Sequence, residues 1–209
     1  MNIGIIGAGS VGGALGTGWA QKGHSVLFGV RDASSLSLHK LLERAGASAR
    51  AGSVEDAGAC DVVVLATPWD ATASAIRRAG ALTGKVLLDC TNPLLPDLSG
   101  LILGNTTSGG EKVAEWAPRA RVVKIFNTTG FGNMANPVYG GEPASMLYCG
   151  DDAEAKKIAA QLAGDLGFDP IDAGPLTQSR LLESYALLWI TLAIKQGLGM
   201  NIAFKLMRR

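Results

Sequence analysis

Charge is scarce in this chain and almost evenly balanced. Lys and Arg number 19 against 18 Asp and Glu, a formal net charge of +1, and charged residues make up 18% of the 209 positions. A typical globular domain carries roughly 25%. The near-neutral balance argues against a nucleic-acid or anionic-membrane binder. So little charge suggests that more surface is covered than one core requires, which points to subunit contacts. Cysteine is sparse too: Cys60, Cys90 and Cys149 lie far apart, form no CxxC pair and sit in or beside apolar runs. There cysteine behaves as a small hydrophobe, as expected of a reduced, cytoplasmic protein. The two histidines, His24 and His39, have no carboxylate or cysteine at ligand spacing. They are expected at the surface, and no metal site is expected. No Ser-His-Asp order, HExxH motif or thiolate cluster occurs, so no side chain is assigned a catalytic role. Long apolar runs are also missing. Ala186–Ile194 stops at Lys195, well short of the roughly 20 residues that span a membrane. Met1–Gly9 is too short and too glycine-broken for a secretory leader.

What the chain does have is alternation. Short β-rich runs at Asn2–Ile6, Ser25–Gly29, Asp61–Ala66, Lys85–Asp89, Arg121–Phe126 and Ser145–Cys149 are separated by helical patterns, with weaker strands near Ala47–Ala51 and Phe168–Asp172. The helical patterns fall near Ser10–Lys22, Ser35–Ala45, Asp70–Ala79, Gly110–Trp116 and Asp152–Leu166. Continuous apolar cores such as Val62-Val63-Val64-Leu65 suit strands covered on both faces. The pattern predicts an α/β protein: a Rossmann-type, doubly wound, mostly parallel sheet with a small C-terminal helical extension. Residues 1–150 read as the dinucleotide-binding core, and 151–209 as an extension packed on it to form one unit. From Thr177 to about Gly197 a last helix is apolar nearly all round, with Leu181, Tyr185, Leu188 and Leu192 in one stripe. Such a helix must be covered on several sides, and a second copy of the chain is the expected cover.

Gly7-Ala8-Gly9-Ser10-Val11-Gly12 follows the first strand and opens the first helix. The three glycines of this GxGxxG do different work. Gly7 permits the tight turn, Gly9 lets a diphosphate approach the backbone, and Gly12 lets the helix pack on the sheet. The bare amides of the first turn and the positive end of the helix dipole then hold the phosphates. At the end of the second strand, Gly29 stands where an NAD site carries an acidic residue, and Val30-Arg31-Asp32 follows. A guanidinium there pairs with a 2′-phosphate, so NADP is favoured, with Ser35 as a further hydroxyl donor. Asp32 as a ribose acceptor would fit NAD instead.

Three later loops close strands at their carboxyl ends, where such sheets bind ligands. Thr67-Pro68-Trp69 can pass under the ribose and diphosphate. Asn92 offers both a donor and an acceptor to a carboxamide, unless Asn92-Pro93 is a simple turn. Asn127-Thr128-Thr129-Gly130-Phe131 has polar groups and glycine shaped for a ligand's face, although Phe131 serves equally as a core plug. Lys124 is the one basic side chain nearby and can simply fill a strand position. A carbonyl reductase needs a proton donor beside the hydride site, and none stands out. Exchange with a flavin-like ring needs none.

Taken together, several motifs resemble a known family: Ile3-Gly4-Ile5-Ile6-Gly7-Ala8-Gly9, Thr67-Pro68-Trp69, Lys124-Ile125-Phe126-Asn127-Thr128, Asp172-Ala173-Gly174-Pro175-Leu176 and Ser179-Arg180-Leu181-Leu182-Glu183-Ser184. Over nearly its whole length the chain resembles the NADP oxidoreductases that depend on the deazaflavin coenzyme F420. It is also similar to the NADPH-binding domains of the six-transmembrane metalloreductases. The resemblance implies NADP(H) along Ala8, Gly9, Ser10 and Val11, with Val30 and Arg31 at the 2′-phosphate. It also implies Pro68 and Asn92 near the ribose and nicotinamide, a deazaflavin near Asn127 to Phe131, and a homodimer. The hydride partner stays open between F420, a flavin and a protein-bound redox group. Reduction of a small carbonyl or imine, and a non-enzymatic NADP(H) sensor, are the alternatives. Within the late block, Arg180 and Glu183 are expected to pair across one helical turn.

Overall fold

Val-, Ile- and Leu-rich runs of four or five residues become the strands of one central sheet in the computed structural model, which describes residues 1–209. The first half runs β1 (Asn2–Ile6), α1 (Ser10–Gln21), β2 (Ser25–Gly29), α2 (Leu36–Ala45), β3 (Ala49–Gly52), α3 (Val54–Gly58), β4 (Val62–Leu65), α4 (Trp69–Ala79) and β5 (Val86–Asp89). It continues with α5 (Gly109–Trp116), β6 (Arg121–Lys124), α6 (Phe131–Ala135), a hairpin of β7 (Val138–Tyr139) and β8 (Glu142–Pro143), β9 (Ser145–Gly150), α7 (Ala153–Asp165), β10 (Asp169–Asp172) and α8 (Ser179–Ile190). The sheet order is β10-β9-β6-β5-β4-β1-β2-β3. From β1 the chain winds outward through β2 and β3, then returns to β4 and winds the other way. The order therefore reverses between β1 and β4, and a crevice opens there at the strands' carboxyl ends.

Strand alternation distributes the core. Ile3, Ile5, Val62 and Val64 point to one face with Trp19, Leu41 and Leu162 of α1, α2 and α7. Ile6, Val63 and Leu65 point to the other with Val54, Ile76 and Val113 of α3, α4 and α5. Both faces are covered by helices, as the unbroken apolar runs require.

The sheet is mostly parallel, as expected: β9 alone runs antiparallel to its neighbour β6, because the hairpin returns the chain from the opposite end, and β10 then pairs parallel to β9. Three expectations need correction. β6 stops at Lys124 because Phe126 takes φ +62°, a left-handed conformation costing a non-glycine residue about 1–2 kcal/mol. His24 is buried, not at the surface. Its ring lies 3.1 Å from the Met1 amino group and 3.0 Å from an Asp165 oxygen, so it ties the amino terminus to α7. Arg180 does not pair with Glu183: it pairs with Glu111 of α5, Nη2 to Oε1 2.6 Å.

The C-terminal segment begins with a 3-10 turn at Leu176–Gln178, passes through α8 and ends in a π-helical turn at Thr191–Lys195. The tail then returns over the domain. Phe204 O accepts from Ser145 N at 2.9 Å and Ile202 O accepts from Trp189 Nε1 at 2.9 Å. Leu182, Ala186, Trp189 and Ala193 face inward, whereas Leu181 and Leu188 stay 65% and 48% exposed. Within the stripe Tyr185 packs on Phe204 of the chain's own tail, ring centroids 4.8 Å apart, so one chain leaves only Leu181 and Leu188 open. No helix is long and apolar enough to cross a membrane.

Candidate functional site

The crevice at the reversal point holds a cavity of about 500 Å³. Gly7, Ala8 and Gly9 form its floor, Val30, Arg31 and Ser35 one end, and Thr67 and Pro68 a side wall. A second cavity of about 560 Å³ adjoins it through Ala8 and Gly9 and runs along α1 past Ser10 to Phe131 and Gly132.

The three glycines differ in what surrounds them. A Cβ on Gly7 would collide with the Ala66 carbonyl oxygen, and its φ is +110°. A Cβ on Gly12 would collide with the carbonyl oxygen of Gly7. Both positions are filled by the protein itself. At Gly9 an added Cβ meets nothing within 4 Å, so the space above its backbone is open. Helix α1 starts there with no side-chain cap and no acidic residue in its first turn. Helices α3, α5 and α7 are capped by Ser53, Ser108 and Asp152, whereas α2, α4, α6 and α8 lack a side-chain cap as α1 does; what sets α1 apart is the open space over Gly9. The residues present thus fit a diphosphate, held by uncapped amides at the dipole's positive end. Val11 is half-buried against the core and Gly12 is buried, so these two shape the loop from beneath.

Where the cavity meets the end of β2, Asp32 is already engaged. Its Oδ1 accepts from Ser34 N at 2.9 Å and Ser34 Oγ at 2.6 Å, and these bonds hold its carboxyl below the ordinary value. Arg31 is exposed, and the ion pairs of the structure do not include it. A cation without a partner therefore faces the end of the cleft where a 2′-phosphate would lie. Sequence reasoning missed the opposite wall, where Ala71, Ser74, Ala75 and Arg78 of α4 line the cavity. Their i, i+3, i+4, i+7 spacing marks one helical face and was the available signal.

At the carboxyl ends of β5 and β6 lies a cluster of buried charge. Lys124, fully buried in β6, lies 2.8 Å from Asp89 Oδ2, 2.8 Å from Glu183 Oε1 and donates to Thr91 O at 2.7 Å. It does more than fill a strand position. Asp89 Oδ1 accepts from Thr91 N and Oγ1 at 2.9 and 2.7 Å. Glu183 accepts from Gly109 N and Gly110 N at 2.9 and 3.0 Å, closing the amino end of α5. Burial alone would lower the Lys124 pKa, but the two carboxylates outweigh it and raise the value above 10.5. One ammonium thus fastens the Thr91 loop, α5 and α8 together.

Above this triad, Asn92 and Asn127 bond reciprocally. Asn92 Nδ2 donates to Asn127 O at 2.9 Å, and Asn127 Nδ2 donates to Asn92 Oδ1 at 3.0 Å. Asn127 also donates to Leu182 O at 3.2 Å. Asn127, Thr128 and Pro93 are buried, whereas Asn92 is half-buried. The structure therefore links Asn92 to Asn127, with Pro93 and Thr128 beside them in the chain, but none of the four lines either cavity. Phe131 is 47% exposed at the mouth of the second cavity and is no core plug. All three cysteines are free and buried. Burial raises their pKa values, that of Cys149 to about 11, so none offers a thiolate.

Residues 2–93 match the family model described as NADP oxidoreductase, coenzyme F420-dependent. The F420-dependent NADP reductase of Methanocaldococcus jannaschii is 32% identical over 154 residues, covering 68% of this chain and 67% of that one. The metalloreductase STEAP3 of Rattus norvegicus is 30% identical over 187 residues, 88% of this chain, which spans only 36% of the rat protein's length. A crystal structure from Arthrobacter sp., provisionally named an F420-dependent NADP-reductase, superposes with a TM-score of 0.88 at 33% identity, covering 99% of both chains.

Proposed function

This chain belongs to the coenzyme F420-dependent NADP oxidoreductases, and from that membership we propose that it binds NADP(H) and exchanges hydride with a deazaflavin or flavin-like acceptor. The observation that carries the proposal is the open cradle over Gly9, continuous with a cleft that ends at the unpaired Arg31. When bound, the nicotinamide supplies or receives the hydride. The chain's own residues bind and orient. The amides of Ser10 and Val11 hold the diphosphate, Arg31 and Ser35 hold the 2′-phosphate, and Thr67 and Pro68 wall the ribose. Asn92, braced by Asn127 and by the Lys124 triad that holds Thr91, fixes the loop beside the nicotinamide, with Thr128 following Asn127.

An acceptor with its own redox ring is favoured by the cavity walls. The ionisable side chains lining the two cavities are Arg31, Asp32, Arg44 and Arg78. Arginine is a poor proton donor at neutral pH, and Asp32 lies at the adenosine end. Reduction of a carbonyl or imine needs a proton delivered beside the hydride; exchange between two rings needs alignment alone. The three buried, free cysteines suit a cytoplasmic protein. The uncovered stripe of Leu181 and Leu188, flanked by Tyr185 and Leu192, suits a homodimer closed through α8.

NADPH oxidation followed by absorbance, with F420, FMN, FAD and small carbonyls offered separately, tests the reading. Turnover with a ring acceptor alone is expected. Turnover confined to carbonyls would replace it with the small-substrate reductase, and tight NADPH binding without any oxidation would replace it with the sensor.

A further inference from the structure

We propose that Arg78 of α4 is a second anchor for the 2′-phosphate, facing Arg31 across the cleft, and that Glu55 of α3 competes with the phosphate for it. The inference rests on the NADP(H) reading above and deepens it by naming the residues that set coenzyme choice.

Arg78 ends the α4 face that lines the cavity. Ala71 and Ala75 present small side chains there, leaving room for a flat base, and Ser74 and Arg78 are the polar members of the face. The opposite wall carries Arg31, Ser35 and Ser37. Two guanidinium groups and three hydroxyls thus line one cleft, and the only carboxylate in its lining, Asp32, is occupied by Ser34. A phosphate monoester carries up to two charges and three acceptor oxygens, more than one fork-shaped guanidinium can satisfy. A second arginine is what that chemistry requires, and the sequence next to Arg31 supplies Asp32 in its place.

Arg78 is held loosely in the absence of coenzyme. Its Nε lies 3.5 Å from Glu55 Oε1, and the two side chains are 51% and 54% exposed. The closest approach, through Nε, is long for an ion pair and is no hydrogen bond of ordinary length. Exposed pairs of this kind are weak and screened by water. A phosphate offering charge-assisted bonds displaces Glu55 readily. Glu55 sits in the first turn of α3, beside Val54, which also lines the cavity. It therefore places a negative charge near the incoming phosphate and works against it.

Calorimetric titration of the full chain with NADPH, NADH, 2′,5′-ADP and 5′-AMP tests this. Arg78→Ala is expected to weaken NADPH and 2′,5′-ADP roughly 10-fold while changing NADH and 5′-AMP less than about 2-fold. Glu55→Gln is expected to act in the opposite direction, tightening NADPH by about 2- to 4-fold and leaving NADH unchanged. In the double variant Arg78→Ala/Glu55→Gln that gain should shrink. Equal losses of NADPH and NADH in Arg78→Ala would mean that the side chain packs on the base, and would overturn the proposal. So would a Glu55→Gln variant indistinguishable from wild type for NADPH. If wild type retains neither coenzyme, the NADP(H) reading itself fails. If wild type binds NADPH tightly and Arg31→Ala alone removes the preference over NADH, only the role of Arg78 fails.

Discussion

Replacing Lys124 by Met separates charge from packing at the deepest polar point of the fold. Lys124, Asp89 and Glu183 are all buried, and the lysine touches both carboxylates at 2.8 Å. Methionine fills most of the same volume but leaves two carboxylates facing each other without a counter-ion. Breaking a buried ion pair from one side costs about 3–5 kcal/mol. For a 209-residue chain the unfolding entropy near the midpoint is about 0.4 kcal/mol per degree, so the melting temperature should fall by about 7–11 °C. Differential scanning calorimetry measures this directly. Adding Glu183→Gln to Lys124→Met removes one of the opposed charges and should restore part of the loss, with a coupling of about 1 kcal/mol or more. The wild type should also show an alkaline limit. The Lys124 pKa is raised in the folded state above 10.5, so its stabilisation is complete below that value and disappears as pH climbs through the folded one. A Lys124→Met variant as stable as wild type, or strict additivity with Glu183→Gln, would refute the idea that this ammonium holds the three elements together.

Four further outcomes follow from the geometry. Gly9→Ala should fold with a near-normal melting temperature yet lose NADPH binding at least about 10-fold by calorimetry, because its new methyl enters open space that the diphosphate needs. Gly12→Ala should instead destabilise the chain itself, its Cβ colliding with the Gly7 carbonyl oxygen. At acid pH the Arg180 hydrogen bonds depress the Glu111 pKa below 4.5. Its contribution is therefore present above 4.5 and lost as pH falls through the folded value, and Glu111→Gln should flatten the acid limb of a melting-temperature profile. Leu188→Glu places a charge beside Leu181 on the exposed side of α8; on the proposed homodimer, sedimentation should shift to monomer with the domain's near-UV spectrum unchanged.

Local signals were legible in the sequence; long-range partnerships were not. β1 and β2 follow their apolar runs to the residue, and the helices on the sheet begin within about two residues of their periodic patterns. Arg121–Phe126 read as one strand because pattern cannot reveal that Phe126 turns left-handed. The capping pair Ser53 and Asp56, whose side chains bond each other's backbone amides at 3.0 Å, was a readable start for α3, yet five residues lie below the length at which periodicity speaks. His24 looked solitary because its carboxylate stands 141 positions away. For the same reason Glu183 was matched to its helical neighbour Arg180, when its partners Gly109 and Gly110 lie more than 70 residues earlier.

The same division explains how the site is built. The phosphate cradle is a local motif, because a diphosphate needs consecutive amides and those come from consecutive residues. The cluster at the carboxyl ends of β5 and β6 is non-local. Asn92 and Asn127 close different strands, and Lys124 joins those strands to a helix that begins at Ser179. Moving α8 would draw Glu183 from the triad and Leu182 O from Asn127 together, disturbing the very loop proposed to flank the nicotinamide. If α8 is also the dimer seam, association and the proposed acceptor end share one helix. The proposed coenzyme end is lined from β1, β2 and α4. Leu188→Glu should therefore lower turnover with a ring acceptor while leaving NADPH affinity within about 2-fold of wild type, since the perturbed contacts lie far from the phosphates.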